Sequence, residues 1–255
     1  MNSHRSHVVL LLLIAAHGLS APVAVASEEK VKLTLYYEAL CPACADFIVN
    51  ELYKIFVNGL ISVVDLKLSP YGNAKITSNG TIVCQHGGWE CLLNTIEACS
   101  IHAWPQVSDH YPFVYCVEKL SYEDKHTEWN TCFKKLNLDP KPVIDCYTSG
   151  MGHKLELQYA DEISALEPPH DYVPWVIVDG QPLYNDYTDF ISFICKAFKG
   201  SNMPQACLRV SHPITSPTDA VKSFNHVSYK GEEGVNSKAT LSEIISSIVA
   251  SWMIL

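Results

Sequence analysis

A Cys-x-x-Cys pair set between a strand and a helix constrains this chain more than any other feature. Val31, Leu33, Leu35 and Tyr37 alternate with Lys32, Thr34, Tyr36 and Glu38, which predicts a half-buried strand with one apolar and one polar face. Cys41-Pro42-Ala43-Cys44 follows at once. Cys44, Phe47, Ile48, Leu52, Ile55 and Phe56 then recur at three- and four-residue steps, the apolar stripe of a helix. Pro42 suits a first turn, where its missing N–H costs nothing. Gly59 is a stop signal, and residues 61–68 read as a second strand. The order strand, CxxC, helix, strand is a βαβ unit of an α/β fold, with both cysteines at a helix start.

Such a pair can be half of a zinc site, a structural disulfide or a redox dithiol. Zinc needs a second ligand pair, and the sequence holds no other CxxC, so no metal is expected. A structural disulfide is common in secreted chains. The helix start argues instead for chemistry. Free N–H groups and the positive end of the helix favour a thiolate at Cys41. Cys41 is therefore read as the exposed attacking sulfur and Cys44, about one turn inside, as the resolving one. The dithiol itself is the redox group, and no separate cofactor is expected.

The rest of the chain sets the compartment. Arg5 precedes nine apolar residues, 8–16, and Ala24-Val25-Ala26 ends a run of small ones. This is the order of a secretory signal peptide cleaved after residue 26, and the apolar run is too short to span a bilayer. All 10 cysteines lie beyond it, where an oxidising lumen would pair them. Asn79-Gly80-Thr81 is a glycosylation sequon in a Gly/Ser/Asn loop. The net charge of −9, without a dense Lys/Arg tract, argues against a nucleic-acid partner.

Residues 69–167 are longer than one connection needs and hold six cysteines. Mixed apolar and polar faces at 92–102, 113–120, 129–136 and 155–166 predict a largely helical insertion. Regular patterning returns with a buried strand at 175–178, a tight turn at Asp179-Gly180, and a closing helix over 187–198. Pro174 opens that strand, where a cis X-Pro bond would face the CxxC and its lost N–H would otherwise weaken a central strand. Residues 208–255 read as a flexible tail that is either processed or retained. Its apolar end, 241–255, is too short to cross a membrane and lacks the spacer of a lipid-anchor signal, so membrane anchoring is not expected.

The stretch from Cys84 to Cys99 carries a specific resemblance. Cys84-Gln85-His86-Gly87, Glu90-Cys91, Asn94 and Cys99 match all eight fixed positions of the pattern C-Q-H-G-x₂-E-C-x₂-N-x₄-C. In this, and in its CxxC and its Tyr-Val-Pro-Trp-Val run, the chain resembles the gamma-interferon-inducible lysosomal thiol reductase family over residues 31–207. The resemblance implies a thioredoxin-like fold with a helical, disulfide-containing insertion, an active pair Cys41/Cys44, and Pro174 as the cis-proline beside bound substrate. It also implies reduction of disulfide-containing proteins in an acidic, lysosome-like compartment. The dithiol would be restored by a small-molecule or protein thiol. His86 shows no visible partner in the sequence and is read as a structural hydrogen-bonder.

Cys84, Cys91, Cys99, Cys116, Cys132, Cys146, Cys195 and Cys207 remain as structural candidates. Four bridges would satisfy them, among on the order of a hundred connectivities, with Cys195 and Cys207 the first pair to try. Two classes stay open on the residues alone: a thiol-disulfide oxidoreductase of the secretory pathway, lysosomal or vacuolar or extracellular, and a secreted binding module in which every cysteine is structural. Within the first, residues do not distinguish a reductase from an oxidase or isomerase.

Overall fold

The computed structural model describes residues 29–211. The expected signal peptide (1–26) and most of the tail, with its apolar end, lie outside them. Strand β1 (Val31–Tyr37) leads to helix α1 (Pro42–Asp46), which continues through a π-helical stretch (Phe47–Leu52) into α2 (Lys54–Val57). Gly59, at φ +78°, turns the chain, since a residue without Cβ takes that conformation at little cost. The second strand, β2, spans Val64–Pro70 rather than 61–68, and Leu60–Val63 form a 3-10 turn. The parallel register opens at Val31↔Val64, so the preceding apolar residues have no strand to pair with.

The insertion contains a short hairpin, β3 (Lys75–Ile76) and β4 (Ile82–Val83), and then α3 (Gly88–Ala103), α4 (Val107–Tyr122), α5 (Thr131–Leu136), α6 (Lys141–Thr148) and α7 (Met151–Ser164). It is largely helical as expected, with α6 and the hairpin as additions to the sequence reading. The chain returns to the sheet as β5 (Trp175–Val178) and β6 (Gln181–Pro182), joined by Asp179 and Gly180 at φ +46° and +81°. A 3-10 turn (Tyr184–Asp189), α8 (Phe190–Ala197) and α9 (Gln205–Ser211) follow. Helix α9 carries regular structure past Cys207, where the tail was expected to begin at residue 208.

The main sheet has the order β2-β1-β5-β6, with β2 parallel to β1, β5 antiparallel to β1, and β6 antiparallel to β5. This is a thioredoxin-like fold with a helical insertion. One core joins Leu33, Leu35 and Tyr37 of β1 to Phe47, Ile48 and Leu52 of the first helix and to Phe190 and Ile194 of α8. A second lies within the insertion around Leu93, Phe113, Trp129 and Phe133. Four disulfides tie these parts: Cys84–Cys91, Cys99–Cys146, Cys116–Cys132 and Cys195–Cys207.

The β1 alternation holds only at its start. Lys32 is exposed, but Tyr36 and Glu38 are buried at 4% and 1%. Helix α7 covers this part of the second face: Tyr36 Oη donates to Glu162 Oε1 at 2.8 Å, and Lys67 Nζ meets Glu162 Oε2 at 2.6 Å. The strand therefore delivers its C-terminal end, and the CxxC after it, into an environment enclosed on both sides.

Candidate active site

Cys41 sits at the N-cap of the first helix, in extended backbone conformation, and its sulfur accepts the N–H of Cys44 at 3.3 Å. Both thiols are free. Cys44 is fully buried, and Cys41 is only 7% exposed, so the sulfur that the sequence reads as exposed is less open than expected. The reason is long-range. The segment entering β5 lies over it, and Val173 O stands 3.9 Å from Cys41 Sγ. Pro174 follows directly, with a cis Val173–Pro174 bond.

The two sulfurs are electrostatically unequal. The Cys41 thiol is held below its ordinary value, first by hydrogen bonding with the Cys44 side chain and also by the Cys44 N–H, against the cost of its burial. Burial pushes the Cys44 thiol well up, and the neighbouring Cys41 adds to this. A lone charge in this dithiol therefore settles on Cys41.

Helix α3 braces the turn that presents the pair. Ala39 N–H donates to Asn94 Oδ1 at 2.8 Å, and Tyr37 Oη donates to Glu97 Oε2 at 2.6 Å. At the start of α3, Glu90 accepts the backbone N–H groups of Gln85 and His86 at 3.1 and 2.6 Å, and meets His86 Nδ1 at 2.5 Å. His86 Nδ1 also lies 3.6 Å from Glu38 Oε1. Glu38 Oε2 accepts Asn73 N–H at 2.6 Å.

His86 thus has two carboxyl partners, where the sequence reading saw none. One of them, Glu90, is a single helical turn ahead in the same motif, a spacing visible in the sequence. Glu38 is read from sequence as a polar-face residue, and no local signal reveals its burial. Burial and the nearby Glu90 carboxylate push Glu38 up to about 7, and the hydrogen bond to Glu90 raises His86. Glu38, His86 and Glu90 each offer one ligand atom, all within 4.8 Å of one another. The Nδ1 of His86 is already committed to Glu90, and the Glu90 oxygens to two N–H donors, so the cluster reads as a charge network rather than a metal centre.

The eight remaining cysteines are all in the four bridges. Cys84–Cys91 closes the loop that carries His86, and Cys99–Cys146 joins α3 to α6. Asn79 is exposed at the tip of the β3–β4 hairpin, where its Oδ1 accepts Thr81 N–H at 3.2 Å and the Thr77 hydroxyl.

A family profile described as "Gamma interferon inducible lysosomal thiol reductase (GILT)" matches residues 32–136. The chain is 43% identical over 212 residues to the "Gamma-interferon-responsive lysosomal thiol protein" of Arabidopsis thaliana, covering 82% of this chain and 87% of that one. It is 31% identical over 198 residues to the "Gamma-interferon-inducible lysosomal thiol reductase" of Mus musculus, covering 76% and 78%. Among solved structures, the thiol-disulfide oxidoreductase MdbA of Corynebacterium diphtheriae aligns with a TM-score of 0.44 at 13% identity, over 67% of this chain and 86% of that one. The fold assignment above rests on the sheet order, not on that alignment.

Proposed function

The chain belongs to the gamma-interferon-inducible lysosomal thiol reductase family and is a thiol-disulfide oxidoreductase, and we propose that it reduces protein disulfides with Cys41 attacking and Cys44 resolving. The observation that carries this reading is the inequality of the two sulfurs. Cys41 Sγ accepts a helix-start N–H at 3.3 Å, whereas Cys44 is wholly enclosed. The thiolate is the nucleophile in disulfide exchange.

In the first step the Cys41 thiolate attacks one sulfur of the substrate disulfide. A bond forms between Cys41 and that sulfur, the substrate S–S bond breaks, and the other sulfur leaves as a thiolate that takes up a proton. In the second step Cys44 loses its proton and attacks Cys41 Sγ. The Cys41–Cys44 disulfide forms and the second substrate thiol departs. Two electrons have passed to the substrate, and an external small-molecule or protein thiol returns them to the enzyme. The Val173–Pro174 segment, whose carbonyl faces Cys41 Sγ, is proposed as the wall that a bound substrate chain lies against, with Pro174 touching it.

The names of the relatives support a lysosome-like lumen, and the exposed Asn79 sequon supports glycosylation on the way there. Among the described residues no helix is long and apolar enough to cross a membrane.

The test is a pair of variants. Cys41→Ser should abolish reduction of a denatured disulfide substrate. Cys44→Ser should accumulate a covalent mixed disulfide, because attack survives and resolution is lost. Full turnover by the Cys41→Ser protein would overturn the assignment.

A further inference from the structure

The motif loop and the CxxC turn meet at a second set of titratable groups. Glu90 fixes His86 twice, through its backbone N–H and through its ring, so the imidazole has one orientation. That orientation brings Nδ1 to the carboxyl of Glu38. Glu38 is three residues ahead of Cys41, and its own carbonyl accepts the Cys41 N–H at 3.4 Å. Its carboxyl is wedged against Gly72, where an added Cβ would stand within collision distance of Oε2. The chain at residue 72 thus leaves room for that carboxyl and for nothing larger.

We propose that Glu38 and His86 are positioning residues for the Cys41 thiolate, a pair whose joint charge turns against the thiolate as the solution leaves the acid range. The inference rests on the reading of Cys41 as the nucleophile. In acid the imidazole carries a proton and the buried carboxyl is neutral, and the positive charge favours the thiolate. As pH climbs, the ring loses its charge and Glu38 gains one. Both changes make the thiolate more costly.

The directions agree with this sign. His86 acts to lower the Cys41 thiol and Glu38 to raise it, and Cys41 in turn raises His86. Other titratable groups face the same sulfur. Cys44, Tyr187 and Glu118 of α4 all interact with it, and burial raises all three. Cys44 and Tyr187, raised from values already above neutral, stay protonated through the acid and neutral range; Glu118 is raised in the same direction, and the contacts that tie a charge change to the CxxC turn are those of Glu38 and His86, with Glu90 holding the ring.

The experiment is the alkylation rate of Cys41 against pH, read peptide by peptide on reduced full-length protein with its four bridges intact. An opposite charge at close range moves a pKa by about 1–3 units. His86→Gln should therefore slow alkylation about tenfold on the acid side, with little change above about pH 8. Glu38→Gln should do the reverse, leaving the acid side alone and speeding the reaction severalfold near neutrality. His86→Lys, which keeps a positive charge, should restore the acid-side rate.

A structural role would instead depress the rate by one factor at every pH, and that result, or no change in either variant, overturns the proposal. If the label lands on Cys44 rather than Cys41, the nucleophile assignment fails instead. A second measurement needs no variant. The His86 imidazole, followed by NMR, should titrate higher in the reduced protein than in the oxidised one, because only the former holds a thiolate beside it; equal values would also overturn the pairing.

Discussion

Folding stability should decline as pH rises from about 4.5 to about 7, and the size of the decline can be worked from three buried carboxyls, with the buried Glu118 adding in the same direction. Glu38, Glu97 and Glu156 are 1%, 0% and 3% exposed. Burial pushes each of them up to about 7 from a starting value of 4.5. A carboxyl whose pKa is raised by folding keeps its proton where the unfolded chain has lost it. Its contribution is complete below the unfolded value and is lost as pH climbs through the folded one. One such displacement is worth about 3 kcal/mol. Three at full value would consume most of what a domain possesses. Local opening and water entry relieve part of the cost, so a total of about 3–5 kcal/mol is the expected loss. His86, raised by Glu90, adds to it with the same sign. His110, lowered by burial, opposes it. Its contribution is present above the unfolded histidine value and fades as pH falls, so it offsets part of the carboxyl slope below about pH 6.5 but, as one group against three, leaves the sign unchanged. The assay is the thermal midpoint of the oxidised protein, in which the Cys41–Cys44 bond removes both thiols from the titration. A loss of this size is a drop of about 10 °C between about pH 4.5 and about pH 7.5. Glu97→Gln, which can still accept from Tyr37, should remove about a third of that slope. A midpoint that is level or rises between about pH 4.5 and about pH 7.5, or a slope untouched by Gln at any of the three positions, would refute the reasoning.

Two further outcomes are expected. Asn94→Ala leaves the buried Ala39 N–H without its acceptor, at about 1–3 kcal/mol, and returns part of that by deleting a buried Nδ2 that has no partner; a net loss of about 1–2 kcal/mol should appear in the denaturant midpoint, with the pH profile of Cys41 alkylation unchanged. Replacing both Cys99 and Cys146 by Ala opens a loop of 47 residues and should cost about 4 kcal/mol, against about 2 for Cys84 and Cys91, which are 7 apart; equal thermal midpoints for the two double variants would contradict the loop-entropy account.

The sequence was most legible where period and punctuation are local. Alternation placed β1, three- and four-residue steps placed the first helix, and the Asp179-Gly180 turn placed β5 against β6. The start of β2 was missed because Ile61 and Val63 are as apolar as strand residues, and only its partner's first residue, Val31, decides where pairing begins. The β3–β4 hairpin has two paired residues on each side, and of these four only Ile82 is even partly buried, too few for any period to show. Helix α6 is short, follows Pro140 and carries Pro142 in its first turn, so local punctuation masks its start. At the site, the cysteine pair left free by the four bridges could be named from its neighbours in the chain. The roofing of Cys41 could not, because Val173 is 132 residues away. Nor could the burial of Glu38, which depends on Gly72 and on the insertion closing over a face that alternation marks as polar.

The motif that runs from Cys84 to Cys99 holds none of the proposed reacting sulfurs, yet most of its fixed positions act on the segment that does. Cys84 and Cys91 close the loop. Gln85 Oε1 accepts from the Asn73 side chain at 2.9 Å, next to the N–H that holds Glu38. Gly87, at φ +86°, supplies the backbone turn into α3. Glu90 orients His86, Asn94 holds Ala39, and Cys99 anchors the helix to α6. The insertion is therefore not an appendage to a self-sufficient redox unit. Without it the Ala39 N–H and the Tyr37 hydroxyl would lose their acceptors, each at about 1–3 kcal/mol if left buried and unpaired, and Glu38 would face Cys41 with no imidazole to offset it. The dithiol is borne by β1 and the first helix, but its geometry and its surrounding charge are set from α3.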